Sequence, residues 1–504
     1  MMKYLFYGFM LATMLTIASC IKDKGNYNYH AINQVTFNNL DTVNGYQVGY
    51  GDTLKLNPTL NLSQDKNGTG SYIYAWSWAL TNKFGDAVDS IITTSKNLSS
   101  VVKLVPGIYT LQYRVKDNGT GVTFQTRVKV NVTTDVYEGY MLLSNVGGQS
   151  RLDMLSYKST TNSFTKYIDV LKKMGSTVPM NGMPYQVYCT QYTTSDVTPE
   201  DYGIFIFNSA GGNRIDQETF AYDPIDNIRN LFVGNVPKNF APVHIFQEGA
   251  FGLAYPIMYT FDGGGNVYGY SIFAGSAFHY SPLNTYTATG TPFHVAPYGV
   301  SDGSTGIFYN SDKKGFVTAP SYSSTFLVDA GASLKYPTGY NMVFMDKDYN
   351  NNAFAILQDP ATSNMYLLRF PIGGVATYFQ QIIGTDISSA NNFAVSPTFG
   401  YLFYSVGGKV YEYDPSLQTS ILMVDKGSST ITSMSFQHFF NSTTSTVNQK
   451  YSTWANYLSV ASYGSSSTSG TFELYSVPPI NEQIVKVNGW TGFGQIVSVS
   501  YRER

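Results

Sequence analysis

Apolar and polar residues alternate with a period of two along most of the chain, which is the pattern of half-buried β-strands. In the first third of the chain, these runs are 35–37, 53–56, 72–78, 101–104, 108–115 and 122–132. The run 72–78 places Trp76 and Trp78 on one face of its strand, together with Tyr72 and Tyr74. Short strands at this spacing are typical of a small β-sandwich, and we predict one over residues 35–134.

Beyond a linker at 133–135, the alternation recurs as hairpins, in which two strand-like runs are joined by a glycine-rich turn. The hairpins are 140–157, 203–224, 257–270, 307–317, 353–369, 401–414 and 457–476. Their spacing of about 50 residues is close to that of four-stranded propeller blades, and one such unit cannot bury both of its faces alone. We predict a β-propeller over residues 137–504 with seven blades; six or eight blades, or a pair of further sandwiches, are the alternatives.

Two segments complete this all-β prediction. The final run, 489–501, alternates like a strand but has no neighbouring partner, so we expect it to close the ring by joining the first blade. A helical pattern is found only at 167–174.

The N-terminus has the features of an export signal. Lys3 supplies a positive charge, and the apolar run that follows is too short to span a bilayer comfortably. The run ends in Ile17-Ala18-Ser19-Cys20, which resembles the lipobox of bacterial lipoproteins, with small residues before the cleavage point and a thiol that takes the diacylglycerol. We predict a signal peptide over 1–19 and a lipidated tether over 20–34; an ordinary signal peptide with an incidental cysteine is the alternative.

The tether carries a partial sorting signal. Residues 21–24 (Ile-Lys-Asp-Lys) partly resemble the lysine–acid surface-export signal of Bacteroidetes lipoproteins, although Lys24 stands where a second acid is expected. No other stretch has the ~18 apolar residues of a transmembrane helix. We therefore expect a protein held on the outer membrane by its lipid and facing the extracellular side.

The composition restricts the kinds of partner that the protein can bind. Charged residues make up 13% of the chain, about half the usual ~25%, and the formal net charge is −2. A chain without a basic surface cannot release counterions from nucleic acid, which excludes nucleic acid as a partner. The 42 tyrosines suit strands and also surfaces that bind through amphipathic rings.

Two motifs in the first unit resemble PKD domains. Residues 74–78 (Tyr-Ala-Trp-Ser-Trp) resemble the "YxW" strand of these domains, and 106–111 (PGIYTL) followed by 115–117 (VKD) resembles their "PGxYxv…VxD" strand pair. Together with the lipobox and the opening at 23–29 (DKGNYNY), they resemble the PKD-like lipoprotein family of Bacteroidetes. The resemblance covers residues up to 135 and implies an immunoglobulin/PKD-like sandwich followed by a propeller-like region.

The cysteines exclude a disulfide. Cys20 is consumed by the lipid, and Cys189 is then the only remaining thiol. Cys189 lies in a strand-like run, 185–189, which predicts a buried and inert thiol rather than a nucleophile.

Catalytic and metal motifs are not found. None of the five histidines has metal-ligand spacing, and the chain has no HExxH, GxSxG or Walker motif. Residues 346–350 (Asp-Lys-Asp-Tyr-Asn) begin like a calcium loop, but Leu357 stands where an acid is required, which favours a turn. We expect no metal and no cofactor; a triad or a carboxylate pair assembled in space stays open.

Aromatic loops supply the candidate binding residues. The segment 271–300 is too irregular for one strand and joins two predicted blades, at an end of the propeller where binding sites gather. The candidates are Phe278, His279, Tyr280 and Tyr286 in this segment, and Trp490 and Phe493 in the final run. The alternative is that these rings pack the loops onto the blades.

The resemblance also implies a function. The family that the chain resembles is similar to accessory lipoproteins of Sus-type uptake systems. This implies a TonB-dependent transporter and its lid lipoprotein as partners and glycan or peptide as cargo. We therefore expect a non-catalytic binding protein. A propeller-based enzyme (a glycan lyase, a hydrolase or a peptidase) and an adhesion or assembly protein are alternatives; ionisable side chains clustered at the mouth of the central channel would favour the enzyme.

Replacing Cys20 by serine should abolish lipid attachment, because the thiol is the only acceptor at the cleavage site. We expect the variant to move from the detergent phase to the aqueous phase in Triton X-114 partitioning, and to lose the acyl mass in intact mass spectrometry. Cys189→Ser is the matched control and should stay in the detergent phase. A wild-type product that retains its leader, or carries an unmodified Cys20 sulfur, would contradict the anchor.

Overall fold

A computed structural model describes residues 32–503 except 82–84, 160, 193–200, 239, 249–256, 272–276, 322–323, 331–333, 335–338 and 440–448. The predicted signal peptide and Cys20 lie outside the described residues. The chain divides into two compact units, Met1–Thr134 and Asp135–Arg504. In the described ranges, no helix is both long enough and apolar enough to cross a membrane.

The first unit is a β-sandwich. Its strands are β1 (Val35–Asn38), β2 (Tyr46–Gly49), β3 (Thr53–Leu56), β4 (Thr59–Leu62), β5 (Tyr72–Thr81), β6 (Ala87–Thr93), β7 (Leu98–Val101), β8 (Gly107–Asp117) and β9 (Thr123–Thr133). A five-stranded sheet in the order β2-β9-β8-β5-β6 packs against the pairs β1-β4 and β3-β7. Trp76 is fully buried between them and stacks on Tyr113 with 4.2 Å between ring centres, as the one-sided aromatic pattern of β5 predicts.

The second unit is built from sheets of three to five strands. Its strands are β10 (Gly139–Val146), β11 (Gln149–Lys158), β12 (Ser163–Tyr167), β13 (Pro184–Tyr192), β14 (Asp201–Asn208), β15 (Gly211–Ile215), β16 (Phe232–Val233), β17 (Pro242–Glu248), β18 (Ile257–Asp262), β19 (Val267–Ser271), β20 (Ala277–His279), β21 (Val295–Ser301), β22 (Gly306–Asn310), β23 (Gly315–Ala319), β24 (Val328–Asp329), β25 (Asn341–Lys347), β26 (Asn352–Gln358), β27 (Met365–Pro371), β28 (Tyr378–Gln381), β29 (Asn392–Val395), β30 (Leu402–Val406), β31 (Lys409–Asp414), β32 (Thr419–Asp425), β33 (Thr430–Ser435), β34 (Tyr457–Tyr463), β35 (Gly470–Ser476), β36 (Val485–Phe493) and β37 (Gln495–Arg502). The helices are α1 (Val170–Met174) and α2 (Gln449–Trp454), and short 3-10 helices lie at Pro224–Asp226, Ile228–Leu231 and Ile387–Ser389.

The described residues of this unit form seven sheets, which we number in chain order. Sheet one is β12-β11-β10-β37, sheet two β13-β14-β15, sheet three β17-β18-β19-β20-β16, and sheets four to seven are β21-β24, β25-β28, β29-β32 and β33-β36 in sequence order. The innermost strands β37, β13, β17, β21, β25, β29 and β33 contact one another in a closed cycle. The prediction of a sandwich followed by a propeller is confirmed, whereas the number of blades stays a prediction because the sheets are counted over the described residues.

The predicted second hairpin was wrong in its returning strand. That strand is β15, which begins at Gly211, whereas 219–224 forms a turn and part of a 3-10 helix. The predicted turn at Gly211 and Gly212 is part of strand β15. Position 212 requires glycine because a Cβ there would come within 2.9 Å of side chains of Ile228, Pro242 and Phe207. The glycine serves close packing rather than a turn.

The final run is two strands rather than one. It divides at Gly494 into the end of β36, which pairs with β35, and β37, which pairs with β10. A Cβ on Gly494 would lie 2.9 Å from the backbone oxygen of Asn145, so the crossing needs glycine. The prediction that the run closes the ring on the first blade is confirmed for β37.

Three smaller differences concern local structure. The strand expected at 101–104 lies earlier, as β7 (Leu98–Val101), and the predicted helix at 167–174 is the shorter α1. Helix α2 was not predicted.

A buried ion pair joins the last sheet to the first at this closure. Glu138, next to the start of β10, lies 2.7 Å from the ammonium group of Lys450 on α2. The same carboxylate accepts hydrogen bonds from the hydroxyls of Tyr451 (2.7 Å) and Tyr501 (2.8 Å). Three elements that are distant in sequence therefore meet at one carboxylate.

Arg502 fixes the end of the closing strand. Its side chain is fully buried, and it donates a hydrogen bond to the backbone oxygen of Val136. The guanidinium group lies 5.1 Å from the centre of the Phe220 ring and 3.5 Å from the carboxylate of Glu218. A buried cation that is hydrogen-bonded and covers an aromatic face holds the end of β37 against the segment that follows sheet two.

Glu138→Ala should destabilise the propeller by about 3 kcal/mol, because it leaves a partly buried ammonium group and two hydroxyls without their acceptor. The midpoint of the main chemical denaturation transition measures this change. Glu482→Ala, at an exposed carboxylate, is the matched control and should change stability by less than about 0.5 kcal/mol. Equal effects of the two substitutions would show that the closure does not depend on Glu138.

Candidate functional site

The ring of innermost strands encloses a cavity of about 520 Å³. Its walls come from β37, β13, β17, β21, β25 and β33, which belong to six different sheets, so the cavity lies on the axis of the propeller. This volume is within the ~300–1,000 Å³ typical of small-molecule sites.

One half of the cavity wall is polar because the innermost strands have an edge that pairs with no other strand of their sheet. Side chains of neighbouring innermost strands satisfy this edge. The Gln186 amide donates to the backbone oxygen of Ile245 (3.0 Å) and accepts from its N–H (2.7 Å). The Tyr188 hydroxyl accepts from the N–H of Gln247 (2.9 Å) and donates to its oxygen (3.2 Å).

Side chains also bond the backbone of the neighbouring innermost strand between sheets seven and one and between sheets one and two. The Ser498 hydroxyl accepts from the N–H of Val187 (3.1 Å) and donates to its oxygen (3.3 Å), and the Ser500 oxygen accepts from the N–H of Cys189 (2.9 Å). Gln437, after β33, accepts from the N–H of Tyr501 (2.8 Å). These bonds fix the polar half of the wall.

The other half is aromatic and comes from sheets three, four and five. Phe246, Tyr298 and Phe344 line it. The rings of Tyr298 and Phe344 meet edge to face with 5.7 Å between centres, and Phe344 also stacks on Phe393 at 5.7 Å. The cavity therefore offers aromatic surface opposite hydrogen-bonding groups.

His244 on β17 contributes an imidazole to this wall. Its ring lies 6.1 Å from that of Phe246 and 5.8 Å from that of Phe261, and burial lowers its pKa to about 4. The ring is therefore neutral at pH 7, with one N–H donor and one acceptor. Within the described ranges neither ring nitrogen has a hydrogen-bond partner in the protein.

Charged side chains gather where the innermost strands end. The His438 Nε2 atom lies 3.8 Å from a carboxylate oxygen of Asp346, and the Tyr349 ring lies 5.9 Å from that of His438. Lys347 is buried and donates to the backbone oxygen of Ser301 (2.6 Å) and to the Asn351 side chain (3.0 Å). The cavity therefore combines aromatic surface, hydrogen-bonding side chains and, at one end, an imidazole beside a carboxylate.

The predicted residues of the 271–300 segment lie elsewhere. Phe278 is fully buried in the core between sheets two and three, and His279 beside it is exposed. Tyr280 stacks on Tyr268 with 5.6 Å between nearly parallel rings. These contacts attach the segment to its own sheet, as the packing alternative describes.

Tyr286 belongs to a separate cluster. Its ring lies 4.7 Å from that of Phe293 and packs against the core between sheets three and four. The ammonium group of Lys313 lies 4.5 Å from the centre of the same ring. The structure does not bring Tyr286 together with Phe278 or Tyr280.

Trp490 and Phe493 lie near the closure. Trp490 is half-buried on β36 and stacks on Phe472 at 6.1 Å, and Phe493 is fully buried at the end of that strand. None of the six predicted residues is among the described residues that line the cavity. Their role in binding stays a prediction.

The two remaining sequence candidates have structural roles. Cys189 is buried in β13, as predicted for a thiol in that strand. Asp348, in the calcium-like turn, accepts from the N–H groups of Asn350 (2.9 Å) and Asn352 (2.8 Å), which closes the turn between β25 and β26. Over the described residues, no group of three or more His, Cys, Asp or Glu side chains is placed to hold a metal ion.

The cavity residues were missed because sequence reasoning located the hairpins, and it either left out the strand before a hairpin or, as at 185–189, recognised the strand without placing it at the axis. The signal was a short alternating run ahead of the hairpin, such as the one that carries Gln186 and Tyr188 ahead of β14. Polar side chains on an otherwise buried strand indicate either a solvated face or an axial position.

Glu412 on β31 is a buried carboxyl group with a raised pKa. Its side chain is 1% exposed between sheets six and seven, and neither carboxyl oxygen has a hydrogen-bond partner in the described part of the protein. Burial and the nearby charge of Asp414 raise its pKa to about 7. A perturbed carboxyl often marks a functional site, but this one does not line the cavity and bears on stability instead.

Comparison with known proteins supports the description of the first unit. Residues 20–184 match the model of the PKD-like family, which confirms the resemblance found in the sequence for this part of the chain. None of the curated proteins matches the chain.

Solved structures resemble the chain in fold only. A quinonprotein alcohol dehydrogenase-like protein from Bacteroides thetaiotaomicron is 10% identical, with a TM-score of 0.43 over 90% of this chain and 97% of its own. The Cps50 (Swd1) β-propeller domain from Myceliophteria thermophila is 9% identical, with a TM-score of 0.38 over 62% and 88%. A gluconolactonase from Xanthomonas campestris is 10% identical, with a TM-score of 0.31 over 52% and 82%.

Glu412→Gln should remove part of the pH dependence of stability. Because the folded state raises the pKa of Glu412, the wild type is most stable below about pH 4.5 with respect to this group, and it loses up to about 3 kcal/mol as the pH rises to 8. The variant carries no such charge and should therefore be more stable than the wild type at pH 8 and similar at pH 4.5. Denaturation midpoints at the two pH values measure this, and parallel pH profiles for the two proteins would contradict it.

Proposed function

We propose that this protein is a lipid-anchored binding protein of the bacterial outer membrane, which holds a glycan or a peptide in the channel of its propeller without transforming it. The observation that carries the proposal is the axial cavity, with aromatic rings on one side and hydrogen-bonding side chains on the other. Such a combination is typical of small-molecule and glycan-sized ligand sites.

The anchor is supported by the sequence. The leader and the lipobox at Cys20 would place the folded part outside the inner membrane, and the match to the PKD-like family begins at residue 20. The lysine–acid segment at 21–24 supports transfer to the extracellular side. In this arrangement the sandwich acts as a spacer and the propeller carries the ligand site.

The proposed partners follow from the resemblance of the first unit. PKD-like lipoproteins resemble accessory components of Sus-type systems, so a TonB-dependent transporter and its lid lipoprotein are the expected partners. The channel would present the cargo to them.

A propeller-based hydrolase, lyase or peptidase is the second candidate. His438 and Asp346 lie 3.8 Å apart at the cavity, together with Tyr349, which is the kind of ionisable cluster expected of an enzyme. A substrate would have to draw the imidazole and the carboxylate into hydrogen-bond distance before a proton could pass between them.

Tyr298→Ala should weaken ligand binding at least tenfold, because it removes a ring from the aromatic half of the cavity. The mature chain, in a detergent without a sugar headgroup, is tested for retention on immobilised glycans and peptides, and the eluate is examined by mass spectrometry. Tyr185→Ala, at an exposed tyrosine outside the cavity, is the matched control and should bind as the wild type does.

Two outcomes would contradict the proposal. Equal retention of the Tyr298 variant and the wild type would place the ligand elsewhere. Release of a cleaved product that is lost in His438→Ala would show that the protein is an enzyme.

A further inference from the structure

The chemistry of the axial cavity narrows the class of ligand, a step that rests on the proposed function. We infer that the channel binds a small neutral saccharide, and that His244, Gln247 and Ser500 are the side chains that take its hydroxyl groups.

The three side chains retain hydrogen-bonding capacity that faces the cavity. His244 has no hydrogen bond to its ring within the described residues, as shown above, and lines the cavity with Gln247 and Ser500. The Gln247 side-chain oxygen accepts from the Thr190 hydroxyl, which leaves its amide N–H groups for a ligand. The Ser500 oxygen accepts from the Cys189 N–H and keeps its own proton to donate.

This set matches hydroxyl groups. A neutral imidazole both donates and accepts, and a sugar hydroxyl does the same, so each contact can be satisfied in either direction. A buried polar group that meets no partner is costly, which makes a ligand rich in hydroxyls favourable at this wall.

The opposite wall suits the apolar face of a sugar ring. Tyr298 and Phe344 are half-buried and turn aromatic surface towards the cavity, beside the largely buried Phe246. A flat ring with C–H groups on its faces and hydroxyls on its rim would contact both walls at once. Aromatic side chains recognise such amphipathic molecules through their faces.

The charge of the cavity disfavours an ionic ligand. Asp346 and Lys347 carry opposite charges side by side, and Lys347 already donates to Ser301 and Asn351. Burial also keeps His244 neutral at pH 7. A charged ligand would lose its hydration in the channel without meeting a net charge of the opposite sign.

The polar wall also disfavours an extended peptide. Peptides often bind by adding a strand to an open sheet edge. At β17 and β13 this edge is already occupied by the side chains of Gln186, Tyr188 and Ser498. A peptide would have to displace these bonds before it could pair.

The test uses the mature chain in a polyoxyethylene detergent and measures affinity by calorimetry. The neutral probes are glucose, galactose, mannose, N-acetylglucosamine and maltose; the others are glucuronate, galacturonate, glucosamine and trialanine. At least one neutral probe should bind, at least tenfold more tightly than its charged counterparts and trialanine. His244→Phe, which keeps a planar ring, should weaken that binding at least tenfold.

Tyr185→Ala, at an exposed tyrosine outside the cavity, is again the matched control and should bind as the wild type does. Should His244→Phe fail to fold, as judged by its thermal midpoint, His244→Asn replaces it with the same expected loss.

Failure of every neutral probe, or equal binding of the charged ones, would overturn the saccharide inference. Binding of trialanine alone would do so as well, while leaving the proposed binding function intact. Unchanged binding in a folded His244 variant would overturn the assigned contacts, whereas conversion of a bound probe would overturn the proposed function itself.

Discussion

The second unit depends on one constraint, which is that the innermost strand of each sheet carries backbone N–H and C=O groups on an edge without a strand partner. Around sheets seven, one, two and three, side chains of serine, glutamine and tyrosine take these groups in place of a strand. Gln186 is the clearest case, since its single amide satisfies both backbone groups of Ile245. Because the edges are satisfied in this way, no further strand is needed at the axis, and a cavity with a polar side remains there.

Buried charged side chains are stabilised where the ring closes. Glu138 and Arg502 are both buried, yet each has partners from distant parts of the chain, so their desolvation is offset where the first and last sheets meet. Glu412 has no such partner in the described residues and becomes neutral more readily instead. The same sheet architecture thus contains a paired carboxylate that joins sheets and an unpaired one that weakens the contact between sheets as the pH rises.

The sequence was sufficient for features that arise from local periodicity. Alternation predicted the faces of β5 and most hairpins of the second unit, and the unpartnered final run predicted the closure. The predicted turn at Gly212 and the single strand predicted across Gly494 were wrong, because a glycine required for close approach and a glycine required for a turn look the same in one sequence. The axial residues could not be predicted, since Gln186, Tyr298 and His244 come together only when sheets two, three and four are placed in the ring. The aromatic rings that stood out in the sequence, such as Phe278, lie in the cores that join neighbouring sheets, and burial is the commoner use of such residues.

The pairing of β37 with β10 also determines when the propeller can be completed as the chain is made. Synthesis from the N-terminus releases β10 early and β37 last, more than three hundred residues later. Until the final residues emerge, the edge of β10 that pairs with β37 lies open to pairing with any other extended chain. The propeller can therefore close only after its last strand has been made, and until then a nearly finished ring carries one open strand edge.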